Sequence, residues 1–146
     1  MAQFEISGLD DLILSLEELA QLPDEVAAEM LTAEGEVIKA AQQQSLQSAG
    51  LVDTGQLQAS IKLDKKLRKK GDERSMLVYP QGTRRDAKHK HGERNATIGF
   101  VHEFGAPKRG IPPSQWMRTA NESAADAAVD AAGQVYDKYL KDKGLL

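Results

Sequence analysis

Residues 23–48 read PDEVAAEMLTAEGEVIKAAQQQSLQS, and this stretch decides the fold class. Val26, Met30, Ala33, Val37 and Ala40 recur at steps of four and three, which is one apolar stripe of a helix. Leu31, Ile38 and Ala41 widen the stripe. Pro23 suits the first helical position, and Asp24 and Glu25 follow it where the helix dipole favours acids. Gly50 supplies the stop signal. Continued to Ser48, such a helix is ~38 Å long, which is long for a chain of 146 residues.

On the N-terminal side, residues 2–6 (AQFEI) alternate apolar and polar and predict a short edge strand. Leu9, Leu12, Ile13, Leu16 and Leu19 predict a preceding helix that ends at Leu22-Pro23. On the C-terminal side, residues 53–61 (DTGQLQASI) predict a short helix opened by Asp53 or Thr54, with Gln56 placed as in a capping box. Residues 75–79 (SMLVY) predict a strand, residues 80–95 a long basic loop, and residues 96–102 (ATIGFVH) a second strand. Residues 105–113 (GAPKRGIPP) hold too many prolines and glycines for regular structure. A last helix is expected from Ser114 to Lys141, with Met117, Ala120, Ala124, Ala128, Ala131 and Val135 on one face. The expected fold is α+β, with the long helix and the Ala-rich C-terminal helix packed on a small, mainly antiparallel sheet.

The length predicts one domain over residues 1–146. Aromatic residues are 5% of the chain, so the core is expected from close-packed Ala, Leu and Val. Cys is absent, which excludes disulfides and thiolate chemistry. No signal peptide or membrane-spanning stretch is legible. The net charge of −3 conceals a division. Residues 1–61 carry eleven acids against Lys39 alone, whereas residues 62–94 carry twelve Lys/Arg against five acids. That asymmetry points to interaction surfaces.

No catalytic, cofactor or metal set emerges. Asp53-Thr54-Gly55 resembles an aspartic protease loop, but that chemistry needs two carboxylates sharing a proton and a β-rich fold. A homodimeric protease using Asp53 is the remote alternative. His89, His91, His102 and Glu103 lie in cationic surroundings that oppose a divalent metal. The basic segment 62–94 could contact duplex DNA through phosphates, with Lys65, Lys66, Arg68, Lys69, Lys70, Arg84, Arg85, Lys88 and Lys90 as candidate DNA or partner contacts. Aromatic interleaving is missing, so no stacking platform for single strands is expected.

Three segments, in order, resemble a phage family. DTGQLQASI at 53–61 is similar to the Asp/Asn-Thr-Gly-x-Leu-x-x-Ser-Ile signature of siphophage neck and tail-component proteins typified by gene product ten of phage HK ninety-seven. FVHEFGA at 100–106 is similar to a second signature, an apolar strand ending in Glu-Phe-Gly-Thr, with Ala106 in place of Thr. PPSQWMRTA at 112–120 is similar to a third, with Ser114-Gln115-Trp116-Met117 replacing Arg-Pro-Phe-Leu.

The resemblance implies a structural, non-enzymatic subunit of the phage or prophage neck, in the head–tail connector or tail-completion ring through which DNA passes. It implies a hexameric or dodecameric ring of copies, contacts with head-closure and tail proteins, and a place in the virion after synthesis in the bacterial cytoplasm. The motif residues carried over are Asp53, Thr54, Gly55, Leu57, Ser60, Ile61, Glu103, Phe104, Gly105, Pro113, Trp116 and Met117. Asp53, Thr54 and Gly55 are expected to start a helix with Leu57 and Ile61 buried. Phe104 is expected to anchor a strand end, Gly105 to permit a sharp exit, and Pro113 and Trp116 to set the angle of the last helix.

Overall fold

The structure, a computed structural model, describes residues 22–146. The strand expected at 2–6 and the helix expected from residue 9 lie outside the described residues. Four α-helices are described: α1 (Asp24–Ser48), α2 (Gln56–Ser60), α3 (Asn95–Phe104) and α4 (Trp116–Asp142). The strands are β1 (Ile61–Lys70), β2 (Glu73–Pro80), β3 (Thr83–Arg84) and β4 (Glu93–Arg94). β1 pairs antiparallel with β2, and β3 pairs antiparallel with β4. The chain is therefore α+β, with long helices beside small antiparallel ladders.

α1 is the spine: α4 runs along it, and both β1 and β2 pack on it. The two long helices are antiparallel. Near the end of α1, Ser45 Oγ donates to Trp116 O (2.7 Å) and Gln42 Nε2 donates to Asn121 Oδ1 (3.0 Å), both at the start of α4. Ala120, Ala124, Ala128 and Ala132 are buried at steps of four along α4. A row of methyl groups lets the helix axes approach closely, which ridge-into-groove packing exploits. On α1 the buried line is Ala27, Gly35, Gln42 and Leu46, about one residue round from the expected stripe, and Ala40 is exposed. The rotation has a physical cause. A Cβ on Gly35 would stand 2.6 Å from Leu63 Cδ1, so the missing side chain is what admits β1 against α1.

The hydrophobic core cluster sits at this same C-terminal end of α1. Leu46, Leu57, Ile61, Ile98 and Trp116 form one cluster, with Leu51, Val78 and Met117 packed against it. Four separate elements and the end of α1 meet there, so this cluster orients everything that follows residue 50.

Three local readings are corrected. Residues 96–102 are helical, within α3, rather than a strand. The expected long loop at 80–95 contains the β3–β4 ladder and is closed by hydrogen bonds from Asn95 N to Gly82 O (2.9 Å) and from Asn95 Nδ2 to Gln81 O (2.9 Å). Residues 105–113 include a short 3-10 turn, Pro107–Arg109, held by the Ala106–Ile111 bridge. Among the described residues, no helix is long and apolar enough to cross a membrane.

Candidate docking cleft and the joint that shapes it

The first motif forms a turn and one buried ridge. Gly55 stands at φ +80° as the residue before α2, a conformation that favours glycine. The Asp53 side chain does not cap this helix. Thr54 Oγ1 accepts a hydrogen bond from Gln56 N (3.3 Å), while exposed Asp53 pairs with Lys88 Nζ (3.2 Å). Leu57 and Ile61 are buried in the core, and Ser60 Oγ donates to Leu57 O (2.6 Å).

The second and third motifs form a joint between α3 and α4. Gln115, before α4, has positive φ, and its side chain makes no cap. The cap comes from α3 instead: Glu103, buried, accepts from Met117 N through Oε2 (2.6 Å) and from Arg118 N through Oε1 (3.2 Å). A carboxylate at this position meets both the unpaired N–H groups and the positive end of the helix dipole. Ser114 reinforces the joint, its Oγ donating to His102 O (2.7 Å). Trp116 is 1% exposed and donates from Nε1 to Gly99 O (3.0 Å). Gly99 makes room for this packing: a Cβ would come within 3.1 Å of Pro80 Cγ and 3.3 Å of Trp116 Cζ2, tighter than most such contacts.

Phe104 departs from its expected role. It is 63% exposed and its ring meets that of the equally exposed Phe100 at a tilt of 48° (centroids 4.6 Å), so it does not anchor the joint. Pro113 is exposed as well, and its backbone presses on Gly105.

Between the first motif and the joint lies a cleft of about 730 Å³. One wall is residues 50–55. The facing wall carries Arg84, Lys88 and His89, and Thr97, Val101 and His102 of α3 line it with Arg109 and Ile111. Its size is that of a ligand or peptide pocket. The lining is mixed in charge, with Arg84, Lys88 and Arg109 against Asp53 and Glu93. Burial, followed by the charges of Arg84 and then Arg109, lowers the pKa of His102 below the ordinary histidine value. A histidine so depressed resists protonation, so its contribution to stability is complete above the ordinary histidine pKa and is lost as pH falls below it.

Arg84 is buried. Its Nε lies 3.0 Å from Asp86 Oδ2, an ion pair without a well-aligned hydrogen bond. Asp86 also accepts from Lys88 N (2.9 Å) and His89 N (2.9 Å) and meets His89 Nδ1 at 2.9 Å. The His89 hydrogen bond is the chief cause holding the Asp86 carboxyl below the ordinary Asp range, helped by the backbone donors and Arg84 and opposed by partial desolvation. A depressed carboxyl stabilises above its unfolded pKa and loses that stabilisation as pH falls through the folded one. Acidification below about pH 4 is therefore expected to release the turn at residues 86–89. Hydrogen exchange at the Lys88 and His89 amides would show it, and protection unchanged at low pH would contradict it.

The nine candidate contact cations do not form one patch. Arg68 pairs with Asp64, Lys69 with Asp24, Arg84 with Asp86 and Lys88 with Asp53. Lys65, Lys66, Lys70, Arg85 and Lys90 are exposed and have no ion pair among the described residues. Lys69 reaches the start of α1 and Lys88 the loop beyond its end, so helix α1 holds the two basic clusters apart. Sequence reasoning missed His102 and Arg109 as cleft residues. Nothing in the run APKRGIPP marks Arg109, because only the 3-10 turn brings it to the cleft.

Replacing Glu103 with Ala is expected to cost about 1–3 kcal/mol, the range for losing a cap and leaving donors unpaired. Urea melts of both proteins would measure it. A loss below about 0.5 kcal/mol, the scale of an ordinary surface change, would refute the capping role.

A family described as "Bacteriophage HK97-gp10, putative tail-component" matches residues 10–88. No curated protein and no solved structure matches the chain. The match covers α1, the first motif, the β1–β2 ladder and most of the β3–β4 turn, which is the framework that builds one side of the cleft. The chain belongs to the HK97-gp10-like family of bacteriophage tail components.

Proposed function

We propose that this protein is a non-enzymatic subunit of the phage neck, forming part of a head–tail connector or tail-completion ring with copies of itself and adjoining head-closure and tail proteins. The carrying observation is the family match over residues 10–88. The chemistry of the motif residues supports the reading. The Glu103 carboxylate is spent on capping α4, the Asp53 carboxylate on Lys88, and the Trp116 N–H on Gly99. These residues shape a rigid joint and a cleft, which is what an assembly subunit needs.

Sedimentation velocity at rising concentration, alone and with the neighbouring neck proteins, tests this function. Discrete oligomers or stoichiometric complexes are expected. A strict monomer that joins none of those proteins overturns it.

A second reading rests on Lys65, Lys66 and Lys70, exposed and without ion pairs among the described residues. They could touch duplex backbone passing through the ring. Gel shifts across a salt series test this: binding should fall steeply as salt rises, and absence of any shift at low salt excludes it.

A further inference from the structure

The cleft is lined by Leu51, Leu57, Ile98, Val101 and Ile111, with exposed Lys88 and Arg109 beside the acids Asp53 and Glu93. Arg109 is exposed and has no ion pair among the described residues. The Lys88–Asp53 pair is exposed on both sides and therefore exchangeable, since such pairs contribute at most about 1 kcal/mol. What fits this cleft is a segment with an apolar stripe flanked by acids.

The chain contains such a segment. Residues 1–21 hold Glu5, Asp10, Asp11, Glu17 and Glu18 and no Lys or Arg. Within it, LDDLILSLEELA at 9–20 sets Leu9, Leu12, Ile13, Leu16 and Leu19 at helical spacing. As a helix this segment would not reach its own cleft. Leu22 precedes α1, the cleft begins past the other end, and the 25 residues of α1 hold them about 37 Å apart. Residues 9–21 as a helix span only about 20 Å. A fully extended chain would cover the distance but would scatter the stripe to both sides.

We propose that the acidic, apolar-striped segment around residues 9–20 of one copy docks in the cleft of a second copy, its acids meeting Lys88 and Arg109. This rests on the assembly reading above and names the contact that propagates it. The contact is head-to-tail, the kind that closes into a ring when the rotation per subunit allows.

The absence of cysteine makes disulfide trapping clean. Full-length Ser15→Cys is mixed at high concentration with an isotope-labelled Thr97→Cys chain and oxidised, and the adducts are read by mass spectrometry. Ser15→Cys with Val52→Cys samples the other cleft wall, so one unfavourable sulfur geometry does not decide the result. Ser15→Cys with Asp72→Cys probes the groove beside Leu22 as the competing site. Inter-chain adducts with Thr97→Cys or Val52→Cys are expected at about fivefold or more over Asp72→Cys, and Lys88→Glu with Arg109→Glu should cut them by a similar factor. Asp10→Lys with Asp11→Lys on the partner should restore them.

Adducts that favour Asp72→Cys, or that ignore the charge changes, overturn the proposal. Oligomers or complexes with neck proteins that form without cleft adducts overturn it while leaving the assembly reading intact. Absence of any association overturns both.

Discussion

Trp116→Ala is expected to destabilise the protein by about 3–5 kcal/mol, the range for deleting a buried indole. The residue is 1% exposed and touches the cluster in which α1, α2, β1, α3 and α4 meet. Its loss opens a cavity in this cluster and removes the side-chain hydrogen bond to Gly99 O. Against the 5–15 kcal/mol typical of a domain, this is a large fraction. Trp116→Phe helps separate the two contributions, because it keeps most of the volume while removing the hydrogen-bond donor. Urea midpoints for both variants measure the effect. Wild-type stability in Trp116→Ala would mean that the joint is not part of the core.

Gly105→Ala is expected to be nearly as damaging without removing any contact. Gly105 ends α3 at φ +78° and ψ 170°, a region that is in practice glycine's alone and costs other residues about 1–3 kcal/mol. A Cβ would also stand 2.7 Å from Pro113 N and 2.9 Å from Ile111 O, both backbone atoms that cannot rotate away. Overpacking of this kind adds about 1–3 kcal/mol, for a total of roughly 2–6 kcal/mol. The consequence reaches further than stability, because Gly105 sets the path that brings Arg109 and Ile111 to the cleft. A Gly105→Ala protein that melts with the wild type and keeps its oligomeric state would contradict this account.

The long helices were legible because their patterns obey the ordinary rule. Residues 24–48 and the Ala-rich C-terminal run carry small and apolar residues at helical spacing, with proline or glycine near their ends. α3 inverts that rule. Its buried positions are Asn95, Ile98, Gly99 and Glu103, whereas Phe100 and Phe104 face outward. The helical period is present, but polar and small residues write it, and the β-branched and aromatic run over 96–102 imitates a strand. β1 was masked in a similar way. Its Lys-rich outer face dominates the composition, and the ladder irregularity between Asp64 and Arg68 breaks the inward alternation of Leu63 and Leu67.

The motifs of the site were legible as residues but not as roles. Glu103, Gly105 and Trp116 stood out by resemblance. That the carboxylate of one helix caps the next is a tertiary fact with no local sequence signature, since a capping box keeps both partners within one turn. The charge division survived in altered form. Helix α1 separates the basic residues into two clusters, and several of them are spent on acids of the same chain. At the cleft, Arg109 is exposed without an ion pair among the described residues, and Lys88 is held only by its exposed pair with Asp53. These two cations suit a docking surface for an acidic segment, and the acidic end of the same sequence supplies one.

Quantitative mass spectrometry of purified phage particles, with the chain's position located by labelling in electron micrographs, tests the central claim most directly. The account predicts several copies per particle, concentrated at the junction of head and tail and lost together when the neck is disrupted. A particle preparation that infects normally yet contains none of this chain would contradict it.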